Sequence, residues 1–244
     1  MQVRQNVWYG QLFLNVMRLN KMKLNSTVGI LIVVYILIFA CFYNALLVLP
    51  PVDILGDSYR IFFFHFPNAI VTYLAFTITL VASILYLLRR DLKYDSIASS
   101  SAKLGLLFCT LTLVTGAIFS NAAWGRYWNW DPRQTTVLVL WFVYAAYFSL
   151  RSAMSDEDSI ARISAILGIF GYASVPLTYL STQIWFSLHP TSGTIGLSSD
   201  MWAVLRYLTV GMSIIYLYFL WWDYKFKSLQ REYEDIQSLL QGGN

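Results

Sequence analysis

Six long apolar stretches constrain this chain more than anything else in it. They run approximately over residues 27–49, 62–88, 104–123, 135–150, 163–181 and 202–222. A helix needs about 20 residues to cross a hydrocarbon core about 30 Å thick. Five of the six meet that length or come close. The fourth is shorter, but Asp131 followed by Pro132 reads as an N-cap with proline at N1, which starts that helix earlier. The stretches are continuous and lack the alternation of a membrane barrel. In hydrocarbon only helices and closed barrels satisfy every backbone group. The expected fold is therefore an all-α integral membrane protein with six transmembrane helices. Composition agrees: 57% of the 244 residues are hydrophobic and 12% charged, where a soluble domain has about a quarter charged. A water-soluble enzyme and a disordered chain are both excluded.

The basic residues set an orientation. Thirteen lie before helix one, between helices two and three, between four and five, or after helix six: Arg4, Arg18, Lys21, Lys23, Arg89, Arg90, Lys93, Lys103, Arg151, Arg162, Lys225, Lys227 and Arg231. The other side has Arg60, Arg126 and Arg133, with Arg206 just inside helix six. By the positive-inside rule, the N-terminus and C-terminus are both cytoplasmic. The first apolar run is too long for a cleavable signal peptide and lacks a small-residue cleavage site. Residues 1–26 read as a cytoplasmic or interfacial segment, with Val7, Trp8, Leu12, Phe13 and Val16 suited to an amphipathic helix on the membrane surface. Residues 27–222 form the bundle and 223–244 a polar tail, all within a single domain, 1–244. The net charge of +4 forms no continuous aromatic-interleaved patch, so no nucleic-acid partner is expected; contact with membrane lipid is. Cys41 and Cys109 sit in apolar runs and form no CxxC or CxxCH motif.

The outward loops carry the unusual residues. The loop 124–135 reads WGRYWNWDPRQT and holds three of the nine tryptophans, Trp124, Trp128 and Trp130, with Tyr127 among them. An interfacial aromatic belt is one reading of this loop, since Trp and Tyr are enriched at membrane interfaces anyway. Clustering in one loop shaped by Gly125 and Pro132 suits a platform for a large flat apolar ligand. The similar string Trp221-Trp222-Asp223, at the other side and with no histidine, reads as belt alone. Both histidines of the chain, His65 in FFFHFP and His189 in SLHPTSG, fall on the outward side with the tryptophans. Two imidazoles without cysteine or carboxylate companions are too few for zinc, which wants about four ligands. They suit the two axial positions of a haem, whose porphyrin supplies the other four nitrogens. Arg60, Arg126 and Arg133 are placed to meet the propionates bidentately. Each separately is also readable as a snorkelling interfacial arginine, and Asp131 as a helix cap.

Absences narrow the mechanism. The apolar runs hold no charge at mid-membrane depth, which pumps and many coupled transporters need. No phosphate-binding GxxxxGK loop and no nucleophilic or paired-carboxylate set occurs, so an enzyme is not expected. Gly116, Gly168 and Gly171 read as close helix packing, and Pro176 as a kink in helix five.

The run WGRYWNWDPRQT resembles the tryptophan-rich WWD signature of the haem-handling proteins of cytochrome c maturation. With six helices and two outward histidines, the chain looks most like the family of haem exporter protein C, the C component of that system. GDSYRIFFFHFP at 56–67 resembles the family segment bearing the first histidine, and 176–189 the segment bearing the second. The resemblance covers about residues 28–222. Gln134 departs from it, since the best-known members carry leucine there, and Tyr127 and Pro132 also differ from the common choices. The resemblance implies that His65 and His189 are axial ligands of a non-covalent, transiently held b-type haem. It implies that Trp124, Trp128, Trp130 and Asp131 belong to the binding platform, with Gly125, Tyr127, Arg60, Arg126 and Arg133 around it. It further implies a bacterial inner membrane location, with a mitochondrial inner membrane as the lesser alternative, and haem presented at the periplasmic face to a haem chaperone, the E component. An ABC-type complex of A, B and D components would work alongside. Two other readings stay open: a bis-His electron-transfer cytochrome, and a haem permease acting through its own core.

Overall fold

A computed structural model describes residues 27–52, 55–189 and 197–241. No strand occurs among them, and six helical segments are long and apolar enough to cross a membrane. The chain is an all-α integral membrane protein. Residues 1–26, read from sequence as an interfacial helix, lie outside the described residues.

The first helix, α1 (Thr27–Val48), ends in a π-turn over Asn44–Val48 and is followed by an extended Leu49. A 3-10 turn, Asp57–Ile61, leads into α2 (Phe62–Arg89). Gly56, at φ +55°, closes the turn before it by exchanging two backbone hydrogen bonds with Val52. Asp91 caps α3 (Leu92–Trp124) by accepting from the Lys93 N–H at 2.9 Å. This helix starts twelve residues before the apolar stretch that marked it. Residues 92–103 are polar in sequence, yet Ser96, Ala98, Ser99, Ser100, Ser101 and Ala102 are buried against neighbouring helices. Small side chains there supply close packing rather than hydropathy, so the lipid-crossing run marks only part of the helix.

Asp131 caps α4 (Pro132–Ala153) with Pro132 at its first position, as the sequence indicates. The fifth apolar stretch is two helices, α5 (Glu157–Gly171) and α6 (Ser174–Ile184), broken at Tyr172–Ala173. Pro176 is the cause. It has no N–H for the Tyr172 carbonyl four residues back and its ring crowds that carbonyl, which instead accepts from the Val175 N–H at 2.9 Å. The last helix, α7 (Ser199–Gln241), runs nineteen residues past Trp222.

The two larger of four packed clusters join most of the helices. One joins Val34 and Ile38 of α1, Phe62 and Phe63 of α2, and Leu205 and Leu208 of α7. The other joins Phe76 of α2, Cys109 of α3, Leu140 and Tyr144 of α4, and Val175 of α6. Phe76 stacks on Tyr144 with centroids 3.6 Å apart. Gly105 gives Phe76 room, since a methyl there would lie 2.7 Å from Phe76 Cε1. Gly168 and Gly171 likewise pack directly on Ser83 and Val143.

Polar ties close the end of the bundle where α3 begins. Asp95 and Arg151 form a two-pronged ion pair at 2.6 and 2.8 Å. Asp223 pairs with Lys103 and, at 3.4 Å, with Lys227. The Trp221-Trp222-Asp223 string is therefore more than an interfacial belt: its tryptophans are half exposed, but its aspartate fastens α7 to α3.

Candidate functional site

At the other end of the bundle, α2, α3, α4 and α6 surround a mainly apolar cavity of about 200 Å³. His65 and His189, 124 positions apart in the chain, both line it. Trp124, Trp128, Asp131, Arg133, Phe66 and Tyr73 form further parts of its wall.

His65 sits in the first turn of α2, so its backbone is held by the helix. Its Nδ1 lies 3.2 Å from Thr115 Oγ1 on α3. The Thr115 hydroxyl has one hydrogen, and the Leu111 carbonyl at 2.7 Å is its nearest acceptor. Thr115 therefore accepts from Nδ1–H, and Nε2 is left with the lone pair a metal ligand needs. Gly116 makes this placement fit: a methyl there would stand 3.0 Å from His65 Cε1 and 3.4 Å from Nδ1. The expected helix–helix packing role of Gly116 is thus a contact with the histidine ring. Gly116→Ala is expected to cost up to about 2 kcal/mol of stability net, an overpacking penalty of about 1–3 kcal/mol offset by the roughly 1 kcal/mol that alanine gains over glycine within a helix. Thermal unfolding checks this, and a variant as stable as the parent would show that the ring is free to swing aside.

The tryptophan-rich loop leaves α3 through Gly125, at φ +73°, whose N–H bonds the Asn121 carbonyl at 2.9 Å. Ser120 then donates to the Arg126 carbonyl at 2.7 Å and accepts from Asn129 at 2.8 Å. Gln134, one departure from the family pattern, accepts from the Asn129 N–H at 3.0 Å and so ties the loop to α4. Trp124 packs edge-on against Phe119 with centroids 5.9 Å apart. Trp130 is 73% exposed, at φ +55°, and meets Trp128 edge-on at 5.8 Å. The loop thus contributes Trp124 and Trp128 to the cavity wall, with Trp130 propping Trp128 from outside.

The arginines separate. Arg133 lines the cavity, donating to Tyr73 Oη at 3.3 Å and Thr182 Oγ1 at 3.4 Å. Its buried Nε has no partner among the described residues, and neither nitrogen contact is to a carboxylate. A half-buried cation with no carboxylate partner among the described residues marks a place for an anionic group. Arg60 does not join it. It donates to the Ala45 carbonyl, to the Leu49 carbonyl at 2.8 Å and to Asp57 at 2.9 Å. Those are unsatisfied carbonyls at the C-terminus of α1, where a cation is favourable. Gly125, Arg126 and Tyr127 are exposed on the loop and are not part of the wall.

Sequence reasoning missed Tyr73, Thr112, Thr115, Tyr179 and Thr182. The α2 part had a signal: Phe62, Phe66, Ala69 and Tyr73 share the helical stripe of His65. Nothing in the sequence says that this stripe faces Thr112 and Gly116 of α3.

The donor set suits haem. Two imidazoles face one apolar space bordered by indole rings and an uncompensated guanidinium, and no cluster of three or more His, Cys, Asp or Glu occurs among the described residues. Comparison with known proteins points the same way. The profile of the family described as Heme exporter protein C matches residues 12–238. Heme exporter protein C of Bradyrhizobium diazoefficiens is 30% identical over 166 residues, 67% of this chain and 63% of that protein. The protein of the same name from Paracoccus denitrificans is 32% identical over 168 residues, 68% of this chain and 70% of its own length. A putative cytochrome c biosynthesis ccmC-like mitochondrial protein of Marchantia polymorpha is 32% identical over 137 residues, 56% of this chain and 58% of that one. The matched region thus spans less than two thirds of the Bradyrhizobium and Marchantia proteins.

Proposed function

Because the chain belongs to the Heme exporter protein C family, we propose that it binds haem non-covalently in the cavity between His65 and His189 and hands it on for c-type cytochrome assembly. The observation that carries this reading is the convergence on one apolar space of both histidines, two tryptophans and Arg133, which has no carboxylate partner among the described residues. Haem supplies an iron with two open axial positions and two propionates. His65 Nε2 and the His189 imidazole are the nitrogen donors for that iron. Trp124, Trp128 and Phe66 offer apolar faces and exclude water. Arg133 is the partner for a propionate. None of these residues makes or breaks a covalent bond in this role; the chain holds and orients.

In this reading the cavity end is periplasmic and the Asp95–Arg151 end cytoplasmic, in an inner membrane, an orientation that the positive-inside count supports. Acceptance of the haem by a membrane-tethered chaperone, the E component, and cooperation with A, B and D components belong to the same proposal. Energy then comes from a separate ATPase.

The deciding experiment loads the purified protein with haem and adds an excess of a haem-free acceptor protein. Transfer to the acceptor on mixing is the expected result. Retention of the haem with reversible redox cycling would instead identify an electron-transfer cytochrome. Haem flux into vesicles containing this chain alone would identify a permease.

A further inference from the structure

We propose that Asp131 is a positioning residue whose carboxylate hangs the His189 segment on the start of α4. The inference rests on the reading of His189 as an axial ligand, but its structural half stands without haem. Asp131 is buried, at 5% exposure. Oδ1 accepts from the Arg133 N–H at 2.9 Å, which is the helix cap. The same carboxylate also accepts from the Ser187 hydroxyl, at 2.9 Å to Oδ1 and 2.8 Å to Oδ2, and from the Leu188 N–H at 2.7 Å. Ser187 Oγ, having donated its hydrogen to Asp131, accepts from the His189 N–H at 3.1 Å. One side chain therefore connects the tryptophan-rich loop to the backbone of a histidine 58 positions later.

The two histidines are held by different means. His65 is carried within α2 and braced by Thr115. His189 follows the end of α6, where the backbone turns extended at Trp185, so no helix fixes it. The Asp131 carboxylate takes that part. Its lone pairs are occupied by Ser187, Leu188 and Arg133, which suits a brace rather than a direct contact with haem. Trp130, immediately before it, has a non-glycine left-handed backbone, a conformation that persists only where neighbouring bonds over-determine it.

A helix cap alone needs one acceptor oxygen, which asparagine supplies about as well as aspartate. The brace needs both oxygens, because an amide nitrogen cannot accept from the Leu188 N–H. Asp131→Asn therefore separates the two roles while preserving the cap. Ser187→Ala, which leaves the cap untouched, is the second variant.

The haem-free test places a single cysteine at position 189 (His189→Cys, with Cys41→Ser and Cys109→Ser) and measures its rate of labelling by a maleimide. Adding Asp131→Asn is expected to raise that rate about tenfold or more, the factor for losing a hydrogen bond to a charged group. Ser187→Ala moves it in the same direction. Unchanged labelling in both variants overturns the brace. The haem-loaded test compares visible spectra of Asp131→Asn and His189→Ala in the otherwise native chain. Both are expected to show loss of one axial ligand, with Asp131→Asn recovering the parent spectrum on adding free imidazole. A changed spectrum in His189→Ala but a parental one in Asp131→Asn overturns the positioning role. Parental spectra in both, with faster labelling, overturn the ligand reading and leave the brace standing.

Discussion

Purified His65→Ala and His189→Ala proteins are each expected to hold far less haem than the parent, with an altered visible spectrum in whatever fraction remains. Losing an outer-shell partner of a metal ligand costs about 10–100-fold in affinity, and losing the ligand itself costs more. The histidines should not be equivalent. His65 is set into α2, with its Nδ1 tied to Thr115 and its ring seated on Gly116. Free imidazole added to His65→Ala would have to enter that enclosed position. His189 lies in a segment outside any helix, where imidazole enters more readily. Rescue by imidazole is therefore expected to be stronger for His189→Ala. The measurement is haem content per protein with the visible spectrum, and parental values in both variants would remove the axial-ligand assignment.

The second large effect belongs to stability and lies at the opposite end of the molecule. Asp95 and Arg151 are nearly buried, with side-chain exposures of 10% and 19%. The guanidinium meets both carboxylate oxygens and lies over the Tyr147 ring, 5.6 Å from its centroid. Removing either partner strands a buried charge, and Arg151→Ala or Asp95→Ala is expected to cost about 3–5 kcal/mol. Replacing both by apolar residues of similar size (Asp95→Leu with Arg151→Met) should restore most of that loss. Unfolding in detergent with a double-mutant cycle reads it. A single-variant cost below about 1 kcal/mol would show that the pair behaves as an exposed one. Haem content should be unaffected, because the cavity lies near the other end of α3.

Most of the bundle was legible in advance because lipid makes a simple demand. Every backbone group must be satisfied within the segment, so uninterrupted hydropathy marks a helix directly. The same logic explains where the reading fell short. Residues 92–103 of α3 and 223–241 of α7 are helical without being apolar, held by caps and by contacts such as Lys227 with Ser99 at 2.8 Å. Hydropathy does not report those. The break at Tyr172 was readable from Pro176 by proline chemistry alone.

The site divided along a similar line. Residue scarcity and loop clustering picked out His65, His189, Trp124, Trp128 and Arg133, and all five line one cavity. Arg60 has the same charge and lies only five residues from His65, yet it serves the end of α1. Its local sequence could not distinguish those uses, because hydrogen-bonding partners fifteen residues away in the chain are set by packing.

From sequence alone came the membrane-spanning helices, the polar cap at Asp131, and the few side chains able to hold a flat metal-bearing ligand. Those follow from hydropathy, from local hydrogen bonding and from the donor chemistry of each residue type. Only the tertiary structure decided which faces meet: His65 against Thr115 and Gly116, Arg133 against Tyr73 and Thr182, Asp131 reaching Ser187 and Leu188. Such pairings depend on helix rotation and on loops crossing between distant segments. A contact over 50 or more residues leaves no periodicity for a single sequence to display.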